Sequence, residues 1–135
     1  MMADVALFVL YDYARDQALM ENRPEYINNE GDHWVYPGGK VEDGEMPEAA
    51  MLRELHEELS TVKADSYVKL VGPVLGENGW STYAYLILRW SGTIPEVTDA
   101  QHPIKWIKPL EITQVSPGPT ATLAVALKLV KVRWS

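Results

Sequence analysis

Apolar residues recur along this chain with two different periods. The run Val5-Ala6-Leu7-Phe8-Val9-Leu10, inside Asp4 to Tyr11, is unbroken and partly β-branched. It predicts a central strand buried on both faces. The stretch from Tyr11 to Gln17 is polar and turn-like, after which Ala18 to Arg23 predicts a second strand pairing back as a hairpin. Ser66 to Leu75 and Trp80 to Trp90 predict two more strands around the turn Gly76-Glu77-Asn78-Gly79, and Ile104 to Ile107 a short further one. Between these the period changes. Pro47 is suited to a first helical turn, and the helix it opens is expected to run to about Ser60 with Leu52, Leu55 and Leu59 on one stripe. Beyond the breaker Ser116-Pro117-Gly118-Pro119, a last helix is expected from Thr120 to about Val132. Its apolar face carries Leu123, Ala124, Ala126, Leu127 and Val130, and Lys128, Lys131 and Arg133 complement the dipole at its end. Strands, helix, antiparallel strands and helix in that order imply an α+β architecture, with helices covering a mixed sheet.

The first helix also gathers charge. Glu54, Glu57 and Glu58 fall within an arc of about 100° opposite its leucines, and like charges at these spacings repel by a few tenths of a kcal/mol per pair. Two readings compete: a solvated acidic face, or a site for a hard divalent cation such as Mg²⁺, which takes carboxylate oxygens and leaves positions for water and substrate phosphates. Gly38-Gly39 just upstream favours the cation, because glycines allow a tight turn that brings backbone carbonyls close to an ion.

Composition narrows the classes. With 135 residues and 47% hydrophobic content the chain suits one domain, residues 1–135, with a sizeable core. It has no cysteine, which excludes disulfides and thiolate metal sites and fits a reducing cytoplasmic setting. No apolar stretch reaches the roughly 18 residues of a membrane span. A net charge of −7 speaks against binding nucleic-acid backbones. A small phosphorylated ligand stays open, reached through bound cations, since seven of the 19 acidic residues lie between Glu42 and Glu58.

Read from Gly39, the spacing is glycine, five residues, Glu45, seven residues, Arg53-Glu54-Leu55, one residue, Glu57-Glu58. This resembles the Nudix box of the MutT-like pyrophosphohydrolases, GX5EX7REUXEEXGU with U a bulky aliphatic residue, and Trp34-Val35-Tyr36-Pro37-Gly38 resembles the family's lead-in. The box departs at its end, where Ser60 replaces glycine and Thr61 the aliphatic residue, with Val62 available instead. The resemblance implies an α/β/α sandwich with helices on both sheet faces. It implies Mg²⁺, with Mn²⁺ as an alternative, bound by Glu54, Glu57, Glu58 and a carbonyl of Gly38 or Gly39, while Arg53 orients a glutamate and Glu45 stabilises the box loop. Nudix enzymes often add a carboxylate, as ligand or base, from a later loop. Glu96 and Asp99 are the acids there, with Asp99 preferred because it lies closer to the strand at Ile104. Arg23 is either an edge-strand surface charge or a phosphate contact. Tyr83 and Tyr85 are either strand packing or a stacking surface for a base.

The implied activity is cleavage of a nucleoside diphosphate linked to another group, foremost a nucleoside or deoxynucleoside triphosphate giving monophosphate and pyrophosphate. Dinucleoside polyphosphates, nucleotide sugars and RNA 5′ ends are alternatives. The proline or tyrosine that marks some subfamilies about 16 to 18 residues past the box is absent at Glu77 to Gly79, and Pro73 comes too early. The asparagine of 8-oxo-guanine hydrolases has no counterpart in Pro117 to Thr122. A non-catalytic nucleotide sensor is the third reading, and the intact Arg53, Glu54, Glu57 and Glu58 argue against it. Oligomeric state is not legible at this level. If Ser60 keeps the left-handed geometry of the glycine it replaces, it is strained and Ser60→Gly should stabilise.

Overall fold

The run beginning at Val5 becomes β1 (Asp4–Asp12), the strand on which the sheet is assembled. The computed structural model describes residues 4–22, 34–75, 79–111 and 120–134. In these the elements after β1 are β2 (Gln17–Asn22), β3 (Trp34–Val35), β4 (Gly38–Lys40), α1 (Pro47–Glu58), β5 (Lys63–Leu75), β6 (Ser81–Ser91), β7 (Ile104–Ile107) and α2 (Thr120–Trp134). The main path of the sheet is β3-β2-β1-β6-β5, with β4 pairing on β1 and β7 on β2. β1 runs parallel to β6 over Asp4↔Ser81 to Leu10↔Ile87, and the other pairs are antiparallel.

Alternation along β1 explains its unbroken apolarity. Val9 and Tyr11 enter one core cluster with Val125, Ala126 and Leu129 of α2. Ala6, Phe8 and Leu10 enter the other with Ala50, Met51 and Leu55 of α1. The sheet is thus mixed and covered on both faces, as expected for an α/β/α sandwich. Phe8, Val9 and Leu10 are fully buried, each contributing about 1.5–3 kcal/mol of transfer free energy.

Both helices turn inward a face that matches the expected one only in part, with Leu55 and Leu59 of α1 and Ala126 of α2 buried as expected. In α1 the buried set is Ala50, Met51 and Leu55, continued by Leu59, whereas Leu52 is 37% exposed. Met51, Leu55 and Leu59 follow the i, i+4 line, and the small Ala50 permits close approach to the sheet. In α2 the buried stripe is Thr122, Val125, Ala126 and Leu129, and Leu127 is 53% exposed. Ten of the 15 residues of this helix are apolar, so its pattern defines a face only weakly, and Thr122 is taken inside with the rest. β3 and β4 are further corrections. Their two and three residues are too short for a period, and Gly38-Gly39, expected as a turn, is strand β4 lying on Val5 to Leu7. β5 starts at Lys63, ahead of the expected Ser66.

The end of α1 departs from a glycine-type exit. The helix stops at Glu58, Leu59 caps it at φ −129, and its N–H donates to Leu55 O at 2.8 Å. Among the described residues, positive φ outside glycine occurs at Asp16 and Gln101, and not at Ser60. The strain argument for Ser60 is therefore rejected. Thr61 instead donates from Oγ1 to Thr93 O at 2.6 Å, and Val62, 4% exposed, fills the aliphatic position in the α1-side core. Gly92, at φ +96, passes so close that a Cβ would stand 1.8 Å from Thr61 O, which clamps the helix exit to the end of β6. Ser60→Gly is accordingly expected to lower stability by a few tenths to about 1 kcal/mol through unfolded-state entropy. A rise in melting temperature would contradict this.

Candidate active site

The site begins with how closely β4 and α1 approach. A Cβ on Gly38 would lie 2.2 Å from Ala6 O, and one on Gly39 would lie 2.4 Å from Oε1 of Glu54. Only glycine lets β4 sit on β1 while the Glu54 carboxylate rests against the β4 backbone. α1 then starts without a side-chain cap. Met46 takes an extended conformation, Pro47 occupies the first helical turn, and Ala50 N donates to Met46 O at 2.9 Å.

Arg53 is the hub of the box. Its Nε donates to Oε2 of Glu45 at 2.9 Å and Nη2 to Oε1 of Glu45 at 3.0 Å, a bidentate pair of the kind guanidinium geometry favours. Nη2 also reaches Lys40 O at 2.9 Å, and Nη1 donates to Oε1 of Glu54 at 3.0 Å and Oε2 of Glu57 at 3.2 Å. One cation thus ties the box loop to two of the three helical carboxylates and offsets the repulsion expected among them. Glu45 also accepts from Glu42 N at 3.1 Å. The Arg53 hydrogen bonds, followed by that backbone donor, hold the Glu45 carboxyl down at about 2 and raise the Arg53 guanidinium above its usual value.

A carboxylate depressed in the folded state adds stability above its unfolded value, 4.5 here, and that stability is lost as pH falls toward about 2. The melting temperature is expected to drop across this window, and to drop less in Glu45→Gln. Equal pH slopes in the two proteins would show that the Glu45 pair carries no such linkage.

Glu58 closes the helical set from the other side. Its Oε2 is buried, and its main-chain carbonyl accepts from Asp99 N at 2.9 Å. The backbone of Asp99 is therefore fixed against the last turn of α1. The Glu96 carbonyl instead accepts from Ile104 N at 3.4 Å, at the start of β7. Tyr85, 8% exposed, is packed in the α1-side core with its ring edge-on to Tyr67 at 6.3 Å, and Tyr83 packs against the same cluster. Tyr67 in turn donates its hydroxyl to Glu48 on α1. Tyr85 is accordingly a buried, packed side chain of the α1-side core. Arg23 lies outside the described residues.

Two residues that the sequence reading passed over also meet here. Glu21 in β2 is fully buried, and His102 Nδ1 lies 3.4 Å from its Oε2. A carboxylate directly after the apolar run Ala18-Leu19-Met20 was the available signal.

The donor chemistry of the Glu54, Glu57 and Glu58 carboxylates suits a hard divalent cation, and the backbone at Gly39 lies against the Glu54 carboxylate because no Cβ intervenes. Among the described residues, however, no three acidic or histidine side chains converge closely enough to hold a metal as they stand. Arg53 accounts for this, because it engages Glu54 and Glu57 itself. The Glu57 side chain is 54% exposed, so its carboxylate keeps solvent access beside Arg53.

Comparison with known proteins gives short sequence matches and whole-chain fold matches. Over 29 residues the chain is 62% identical to the 8-oxo-dGTP diphosphatase of Proteus vulgaris, covering 22% of this chain and 26% of that protein. Over 36 residues it is 53% identical to the RNA pyrophosphohydrolase of Vibrio cholerae, covering 26% and 21%. The matched stretches thus span about a quarter of these relatives' own length. The fold matches a MutT structure from a study of Aliivibrio salmonicida and Vibrio cholerae at TM-score 0.73, with 21% identity over 98% of this chain and 99% of that one. It matches the MutT NUDIX hydrolase of Burkholderia pseudomallei at TM-score 0.72, with 24% identity over 95% and 98%. No helix among the described residues is long and apolar enough to cross a membrane. The NUDIX domain model matches residues 2–125, and the chain belongs to the Nudix family.

Proposed function

We propose that the protein is a Mg²⁺-dependent pyrophosphohydrolase, acting in the cytoplasm on nucleoside or deoxynucleoside triphosphates and releasing monophosphate and pyrophosphate. The observation that carries this reading is the Arg53 hub, which holds Glu45, Glu54 and Glu57 together while Gly39 makes room for the Glu54 carboxylate. The names of the two relatives, a diphosphatase and a pyrophosphohydrolase, point the same way.

Glu54, Glu57, Glu58 and a carbonyl of Gly38 or Gly39 are the residues that would hold Mg²⁺ or Mn²⁺. When bound, the ion supplies charge neutralisation of the phosphates and a lowered pKa of bound water. Arg53 keeps Glu54 and Glu57 oriented, and through Glu45 and Lys40 O it fixes the loop leading into the helix. Water attacks phosphorus in line, forming a P–O bond as the bridging P–O bond breaks, and a carboxylate takes the proton. Asp99, fastened to Glu58, is the first candidate for that base.

The test is a screen of triphosphates, dinucleoside polyphosphates, nucleotide sugars and 5′-triphosphorylated RNA with Mg²⁺ or Mn²⁺, reading released monophosphate, pyrophosphate and phosphate. Monophosphate and pyrophosphate from a triphosphate are expected. Turnover confined to another class would move the substrate, and no turnover of any would overturn the reading.

A further inference from the structure

A carboxylate with no exposed surface is costly unless something compensates it. Glu21 is in that position, and its place in the sheet is informative. Ala18 and Met20 belong to the α2-side cluster and Leu19 to the α1-side cluster, so alternation puts Glu21 on the α1 face, the face of the Nudix box. Its cross-strand partner Ile104 packs against the same cluster. The contact from His102 reaches Glu21 at the mouth of the loop that carries Asp99.

That loop is tied at each turn. Val97 bridges Pro103, Thr98 N donates to His102 O at 2.8 Å, and His102 N donates to Oγ1 of Thr98 at 3.0 Å. Thr98 is 1% exposed. One end of the loop is held to β2, where Asn22 N donates to Pro103 O at 2.9 Å beside the Glu21–His102 contact. The other end is held to α1 by Asp99 N on Glu58 O. His102 thus links a buried strand carboxylate to Thr98, the residue immediately before Asp99.

We infer that Glu21 and His102 are positioning residues for Asp99: the pair fixes the loop so that the Asp99 main chain stays on the Glu58 carbonyl, and neither touches substrate. The inference rests on the pyrophosphohydrolase reading for its catalytic consequence. It goes beyond the box, because neither residue belongs to the motif.

The experiment compares His102→Ala, His102→Asn, Asp99→Asn and the double variant His102→Ala/Asp99→Asn. In His102→Ala the Asp99 amide should exchange with deuterium about 10-fold faster or more, while amides of β1 and β6 keep their protection. Its kcat should fall about 10-fold with KM changed less than about threefold, and in the Asp99→Asn background the same change should cost less than about twofold, as for residues acting through one group. His102→Asn, which keeps a side-chain donor, should recover at least part of the protection and of kcat. Unchanged exchange at Asp99 would overturn the inference, as would an equal loss of kcat in the two backgrounds, which would show that His102 acts elsewhere. If the wild-type protein turns over no nucleotide, the pyrophosphohydrolase reading and the catalytic half of this inference fall together. The exchange result still decides whether the pair holds the loop.

Discussion

Glu58→Gln is expected to lower kcat by about 10²-fold or more with the fold intact, because it removes a charge from the acidic face without changing volume. Glu57→Gln should behave alike in turnover but differ in stability. Glu57 is half exposed and shares Arg53 with Glu45 and Glu54, so its loss leaves the guanidinium with partners and the melting temperature little changed. Glu58 has a buried side-chain oxygen and bears the carbonyl that fastens Asp99. Its substitution should therefore show a measurable shift in melting temperature, in either direction, alongside the kinetic loss. Steady-state kinetics under saturating Mg²⁺ and substrate, with thermal unfolding of the same samples, decide the matter. Near-wild-type turnover in both variants would remove these glutamates from the site.

Asp99→Asn should cost about 10²-fold or more in kcat with little change in substrate binding, the loss typical of a general base. Glu96→Gln should keep more than about a third of wild-type turnover, well above that range. The two acids were nearly equivalent in the sequence, three residues apart in a polar loop. What separates them is the hydrogen bond from Asp99 N to Glu58 O, against a Glu96 carbonyl turned to Ile104 at the base of β7. A large loss in Glu96→Gln with a mild one in Asp99→Asn would reverse the assignment. Mild losses in both would return the base to the box.

The family was more legible than the packing, for physical reasons visible in particular residues. The Nudix box announces itself because Gly39, Arg53, Glu54, Glu57 and Glu58 must each meet a local requirement, and the requirement fixes the spacing. The long strands were legible from their apolar runs. Helix faces were legible only in part: Leu55, Leu59 and Ala126 are inside as expected, whereas Leu52 and Leu127 looked like core residues yet are exposed, with Met51 and Val125 buried in their stead. In α2 ten of 15 positions are apolar, more than one stripe can hold, so the docked geometry selects the buried set. β3 and β4 are defined by their neighbours alone, and the ladder from Val5 to Leu7, rather than any property of Gly38 to Lys40, makes the latter a strand. The Glu21–His102 contact joins positions far apart in the chain, and no local pattern encodes such a meeting.

The parallel pairing of β1 with β6 also sets an order of events during synthesis. Asp4 can find Ser81, and Leu10 can find Ile87, only after the whole intervening chain has been made. At about 5–20 residues per second, the apolar segment Val5 to Leu10 emerges on the order of ten seconds before the strand that completes its ladder. β2 and β4 cover the other edge of β1 in the meantime. A nascent chain stalled before Trp80 is therefore expected to stay open to protease and to bind chaperones through this segment, and one stalled well beyond Ser91 to resist. Equal resistance at both lengths would mean that β1 is sheltered before its central partner arrives.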